Sequence, residues 1–151
     1  MAERKDKRYI RNRVAVIIEQ DGKILLVQHE KYGRTYWLIP GGGVEYGETL
    51  SEAAQRELME ECSLDVRIGD LLFISETIPP DQHRHVINYY FEGEIVGGEM
   101  TVNPDAVLRD AQWHPIEDIP HLLIFPPTAR EIVDWAQSKI ISQRSIGNRW
   151  E

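Results

Sequence analysis

Glu57, Glu60 and Glu61 crowd together a short way downstream of three consecutive glycines, Gly41, Gly42 and Gly43. On a helix advancing about 100° per residue, Glu61 lies about 40° to one side of Glu57 and Glu60 about 60° to the other. All three acids then share one face, where each like-charged pair costs about 0.2–0.5 kcal/mol when exposed and more when desolvated. A solvated acidic face is the plain reading of such a cluster. The glycines open a second one, because they free the backbone for a close approach and their carbonyls can act as oxygen ligands. Carboxylates with a main-chain carbonyl make a hard, all-oxygen donor set, which suits Mg²⁺ or Mn²⁺ and not Zn²⁺. A divalent cation there removes the repulsion and leaves positive charge to hold phosphate oxygens.

The elements that must place these acids can be read from the pattern around them. Thr49 and Glu52 fit a capping box, so a helix is expected from Leu50 to about Cys62. Leu50, Ala54, Leu58 and Cys62 form its apolar arc, which leaves the glutamates on the rim of the buried face. Upstream, Val14–Ile18 and Ile24–Val27 flank Asp21-Gly22, the signature of a hairpin with a type I′ turn. Both runs are continuously apolar, as strands covered on two faces are. Further strands are expected at residues 35–40, 66–77, 86–96 and 111–114. A second helix follows Pro126-Pro127, with Thr128 and Glu131 as its capping box and Ala129, Ile132, Val133, Ala136 and Ile140 as its stripe. Residues 1–8 and 142–151 are expected to be loose. The order suggests one α/β (α+β) domain over 1–151, with a mixed sheet between helices.

The stretch from Gly42 to Leu64 resembles the Nudix box, G-x5-E-x7-R-E-U-x-E-E-x-G-U, where U is aliphatic. Gly42, Glu48, Arg56, Glu57, Leu58, Glu60, Glu61 and Leu64 fall on its fixed positions, and Ser63 stands where the family usually has glycine. The resemblance implies a Nudix-type α/β/α sandwich that hydrolyses a nucleoside diphosphate linked to another group. It implies that Glu57, Glu60 and Glu61 bind Mg²⁺ (or Mn²⁺), with the Gly41 carbonyl as a further ligand. Glu48 and Arg56 would orient these groups through a salt bridge. Glu57 is one candidate base. Asp105 and Asp110, in the loop "VNPDAVLRDAQW", are others, or extra metal ligands, or ordinary loop acids. Ser63 bears on how the helix ends and barely on chemistry.

The box does not choose the substrate. Prolines about 15 residues beyond it tend to mark ADP-ribose pyrophosphatases in this family, and Pro79 and Pro80 lie there, although a proline pair is also ordinary turn chemistry. The leading expectation is ADP-ribose cleaved to AMP and ribose 5-phosphate. The alternatives are nucleoside triphosphates or diadenosine polyphosphates, and then a non-catalytic nucleotide sensor, which the intact set of box glutamates disfavours. Arg34 and Arg84 could hold phosphate, and Tyr32, Tyr36 or Trp37 could stack on a base; surface charge and core aromatics are the plainer readings. His83 and His85 read as exposed turn residues, and Cys62 as a small apolar helix residue.

The net charge of −8 argues against binding a nucleic acid polymer through a basic surface. No apolar run approaches a membrane span of about 20 residues, and the polar N-terminus makes the cytoplasm the expected location. The basic residues before position 14, Arg11 and Arg13 among them, read as a solvated arm or as a strand facing substrate or a second copy, and a homodimer is compatible with that.

Overall fold

Asp21 and Gly22 both take positive φ, 52° and 74°, the geometry that a two-residue hairpin turn needs. The hairpin they close is shorter than the apolar runs suggest. Only β2 (Glu19–Gln20) pairs with β3 (Lys23–Lys31) across the turn. β1 (Arg11–Ile17) leaves at Ile18 for a different sheet. There it lies between β5 (Gly41–Gly43), antiparallel, and β7 (Val86–Gly98), parallel. Val14, Ala15, Val16 and Ile17 are wholly buried, because a central strand is covered on both faces. The structure is a computed structural model and describes residues 8–105 and 107–150, so the expectation that residues 1–8 are loose falls, apart from Arg8, outside the described residues, while Arg11 and Arg13 lie in β1.

The larger sheet runs β5-β1-β7-β6-β9, with β6 at Leu64–Thr77 and β9 at Ser145–Asn148. It is mixed: β6 and β7 are antiparallel, while β9 runs parallel to β6. In the smaller sheet β3 is central, with β8 (Leu108–Pro115) along one edge and β2 and β4 (Arg34–Leu38) sharing the other. Two helices cover two cores. Helix α1 (Leu50–Cys62) buries Ala53, Ala54, Leu58 and Cys62 against Val14, Val16 and Val27. Helix α2 (Ala129–Ser138) buries Ile132, Trp135 and Ala136 against Ile17, Phe73 and Tyr90. This is the expected sandwich of a central mixed sheet between helices.

Helix α1 begins and ends where its sequence says. The Thr49 hydroxyl accepts the Glu52 N–H at 3.1 Å. Ser63 ends the helix in the left-handed conformation, φ 58° and ψ 31°, that glycine adopts without a Cβ penalty. Helix α2 departs from expectation at both ends. The Thr128 hydroxyl donates to the Pro126 carbonyl instead of capping, and Glu131 pairs with Arg149 at 2.8 Å. The helix stops at Ser138, so Ile140 lies outside it and is exposed, and Trp135 completes the buried stripe. Glu131 is taken by Arg149, and Ser145–Asn148, within the stretch expected to be loose, form β9 along β6. Ile74 N–H donates to the Arg144 carbonyl at 2.6 Å, and the Asn148 side chain bonds both backbone groups of Ile78.

Candidate active site

Arg56 organises the acidic rim. Its Nε and Nη2 donate to both Glu48 carboxylate oxygens, at 3.0 and 2.6 Å, a bidentate fork that also fixes the loop before α1. Nη2 donates in addition to the Gly43 carbonyl at 2.9 Å. Nη1 faces the other way and donates to Glu57 at 2.8 Å and Glu60 at 3.3 Å. One guanidinium therefore ties the glycine strand, the loop and the helix together. The hydrogen bonds from Arg56 hold the Glu48 carboxyl down at about 2, so it stays ionised.

Glu61 and Glu57 are in the opposite condition. Burial pushes the Glu61 carboxyl up to about 7, against the pull of Arg13 and of the Gly41 N–H, which donates to its Oε1 at 2.9 Å. Burial also raises Glu57, whose carboxylate presses on Gly42; a Cβ there would lie 2.3 Å from it. A Cβ on Gly41 would lie 1.9 Å from the Val14 carbonyl of β1. Glycine is thus required at both positions by close approach. Two partly buried carboxylates whose charged forms burial disfavours, beside a third on the same helix, are a donor set of the kind a hard divalent cation satisfies. The fit lies in the chemistry of the donors. Among the described residues no three acidic, histidine or cysteine side chains already converge as a ligand shell, and Glu60, 59% exposed, is turned to Arg56.

Gly41 and Gly42 form one end of a cleft of about 320 Å³. Its walls carry Arg11, Arg13, Lys31 and Arg84, four cations gathered in a protein of net charge −8. Its floor includes Asn88, wholly buried, whose amide donates to Ser75 and Thr77. Tyr36 and Phe125 stand edge to face at 5.9 Å along one side, and His29 packs on Tyr36 at 5.7 Å. Burial and Arg13 push the His29 imidazole down to about 4, so it is neutral there.

The cleft sorts the residues that the sequence proposed. Arg84 and Tyr36 line it. Arg34 does not: it is exposed at the start of β4, paired across the hairpin with Lys31. Pro80 is exposed in a turn where Gln82 N–H donates to the Pro79 carbonyl, away from the cleft lining. Tyr32 lies in solvent and Trp37 packs in the core of α2. His83 is exposed as expected, hydrogen-bonded to Asp81, but His85 is half-buried, 4.0 Å from Glu76. Asp105 comes near Glu61 because Asn103 fastens its loop to the last turn of α1, donating to the Glu60 carbonyl at 2.7 Å. Its Oδ1 is occupied by the N–H groups of Val107 and Leu108. Asp110 lies opposite Gln28 on β8, accepting from Ala111 N–H and Gln112. Arg11 and Arg13 line the cleft from β1, in keeping with the second of the two readings of the basic N-terminal residues, while His29 and Phe125 were not singled out as site residues. The spacing of Arg11 and Arg13, two apart on a strand, puts both on one face and was the available signal.

The comparisons agree with this geometry. The NUDIX domain family model matches residues 8–136, and the chain belongs to the Nudix family. It is 35% identical over 122 residues to an ADP-ribose pyrophosphatase of Methanocaldococcus jannaschii, covering 79% of this chain and 71% of that protein. It is 33% identical to the NAD-capped RNA hydrolase NudC of Pectobacterium carotovorum, over 80% of this chain, and spans 45% of that longer relative. A Nudix hydrolase from Nitrosomonas europaea shares the fold with a TM-score of 0.76 at 23% identity, covering 87% of this chain and 90% of that one. An ADP-ribose pyrophosphatase from Streptococcus suis does so with a TM-score of 0.68 at 22% identity, covering 89% and 98%. The chain is a hydrolase of this family, whose members act on nucleotide derivatives and use divalent metals. Among the described residues no helix is long and apolar enough to cross a membrane.

Proposed function

We propose that this hydrolase cleaves the diphosphate of ADP-ribose, giving AMP and ribose 5-phosphate, with Mg²⁺ or Mn²⁺ held by Glu57, Glu60, Glu61 and the Gly41 carbonyl. The observation that carries the reading is the meeting of two buried box carboxylates with a cationic, aromatic-sided cleft at Gly41 and Gly42. The relative of 35% identity named as an ADP-ribose pyrophosphatase supports the choice of substrate.

Arg11, Arg13, Lys31 and Arg84 supply the charge that brings a diphosphate into a protein otherwise anionic. The faces of Tyr36 and Phe125 offer a flat apolar surface to a base or ribose. Glu57, Glu60 and Glu61 would hold a divalent cation, which would supply an acidified water and charge neutralisation for the diphosphate. Glu57 would accept the proton of the attacking water, a role supported by its close approach to Gly42 at one end of the cleft. Asp105 is less suited, because it already accepts two backbone N–H groups at 2.7 Å that staple its loop. Arg56 holds Glu57 and Glu60 in place, and Glu48 holds Arg56.

The test is a panel with Mg²⁺: ADP-ribose, NADH, diadenosine polyphosphates, nucleotide sugars and nucleoside triphosphates. Release of AMP with ribose 5-phosphate, and little turnover of triphosphates, is the expected result. Preferred turnover of a triphosphate or a diadenosine polyphosphate would reject the substrate.

A further inference from the structure

Residues 145–150 reach the cleft. Residues 145–148 pair with β6, Asn148 clasps Ile78, and Arg149 is anchored to Glu131 at 2.8 Å and to the Pro127 carbonyl at 3.2 Å. These contacts deliver Trp150 to the cleft wall. Its ring stands perpendicular to Phe125 at 5.6 Å, and the Arg84 guanidinium lies 5.4 Å from both ring centres. Among the described residues no carboxylate pairs with Arg84. Among these residues the contacts that aim its guanidinium are two aromatic rings and not an acid.

We infer that Trp150 is a positioning residue for substrate binding, which acts by holding Arg84 against Phe125 with its donors free for an anionic group of the ligand. An arginine on a loop has several rotatable bonds and would otherwise lose much of its binding energy to ordering. A cation held over aromatic faces keeps its N–H donors in the ring plane's open directions, so stacking and anion binding are compatible on one guanidinium. A carboxylate partner would fix Arg84 equally well but would neutralise it. The same wall continues from Phe125 to Tyr36 and His29, so residues 145–150 close one end of an aromatic row whose other end feels the charges of Arg13 and Asp105. The C-terminal residues thus complete the ligand site, although they lie more than eighty positions from the box.

This inference rests on the cleft being the substrate site. The experiment compares W150A, W150F, R84A and the double variant W150A/R84A, with ADP-ribose, or with the best substrate of the panel if the wild type does not turn over ADP-ribose. A wrong substrate is then seen in the wild type alone. W150A is expected to raise KM about tenfold, in line with loss of a partly desolvated cation–π contact, with kcat changed less than about twofold and the urea midpoint close to wild type. W150F is expected to recover most of the affinity. R84A is expected to raise KM at least as much, and the double variant to match R84A, because residues acting through one another are not additive. A W150A protein with wild-type KM, or a double variant whose loss is the product of the two single losses, would overturn the role of Trp150. A loss in kcat and stability together, with KM unchanged, would reduce the tail to a structural strap and overturn it equally.

Discussion

Replacing Glu61 by glutamine should make the metal-free protein more stable in alkaline solution while removing its response to metal. The Glu61 carboxyl is held up at about 7, against an ordinary value of 4.5, chiefly by burial. Between those two values the folded chain keeps a proton that the unfolded chain has released, so stability falls as pH rises through the window and levels off above it. At about 1.4 kcal/mol per pH unit, the full penalty is about 3 kcal/mol at pH 8. Glutamine keeps the oxygen that accepts the Gly41 N–H and carries no charge to desolvate, but its amide needs a new partner. A net gain of about 2 kcal/mol at pH 8 is therefore expected, and little difference at pH 5. Glu57 is raised too and its charge helps to raise Glu61, so the difference between the two proteins contains that coupling as well as the burial of Glu61. The assay is urea unfolding of wild type and E61Q in EDTA at each pH from 5 to 8. Excess Mg²⁺ should then stabilise wild type at pH 8 and leave E61Q nearly unmoved, since a ligand stabilises only the state that binds it. A stability difference independent of pH, or an equal Mg²⁺ gain in both proteins, would refute the argument that a buried carboxylate waits here for a cation.

E57Q should fold like wild type, judged by its urea midpoint, and lose at least 100-fold in kcat, as loss of a general base requires; near wild-type turnover would reject that assignment. Glu48 is depressed from 4.5 to about 2 by Arg56, so its contribution to stability is present above pH 4.5 and is lost as pH falls toward 2. E48Q should accordingly show a flatter acid-unfolding profile in that window, together with a lower kcat as Arg56 loses its fork. S63G should gain about 1 kcal/mol of stability in urea, because Ser63 sits at φ 58° and glycine there removes the Cβ strain, with kcat/KM unchanged.

The readability of the molecule divides along the range of the forces involved. Helix α1 was legible to the residue because its signals are local: a cap at Thr49, a period of 3.6 in its apolar positions and a stop at Ser63. The common face of the glutamates follows from spacing alone, and the salt bridge of Glu48 and Arg56 is what the resemblance to the Nudix box implies. The turn at Asp21-Gly22 was legible too, but not the destiny of the strand before it. Nothing in "RVAVII" says that β1 abandons its hairpin partner for β7, far away in sequence, since an apolar run is satisfied by any two neighbours that bury it. The same competition undid the second capping box: Glu131 found a stronger, charged partner in Arg149.

The sequence by itself determined the acidic rim, the glycines that must crowd it and the class of donor the rim presents. These depend on residue types a few positions apart, and backbone geometry fixes their relation before any packing occurs. Tertiary structure alone decided what faces that rim. Burial set the protonation of Glu61, β1 carried Arg11 and Arg13 into the cleft, and the C-terminal strand brought Trp150 to Arg84. Burial, field and contact between distant segments are properties of the packed whole, so no window of sequence contains them.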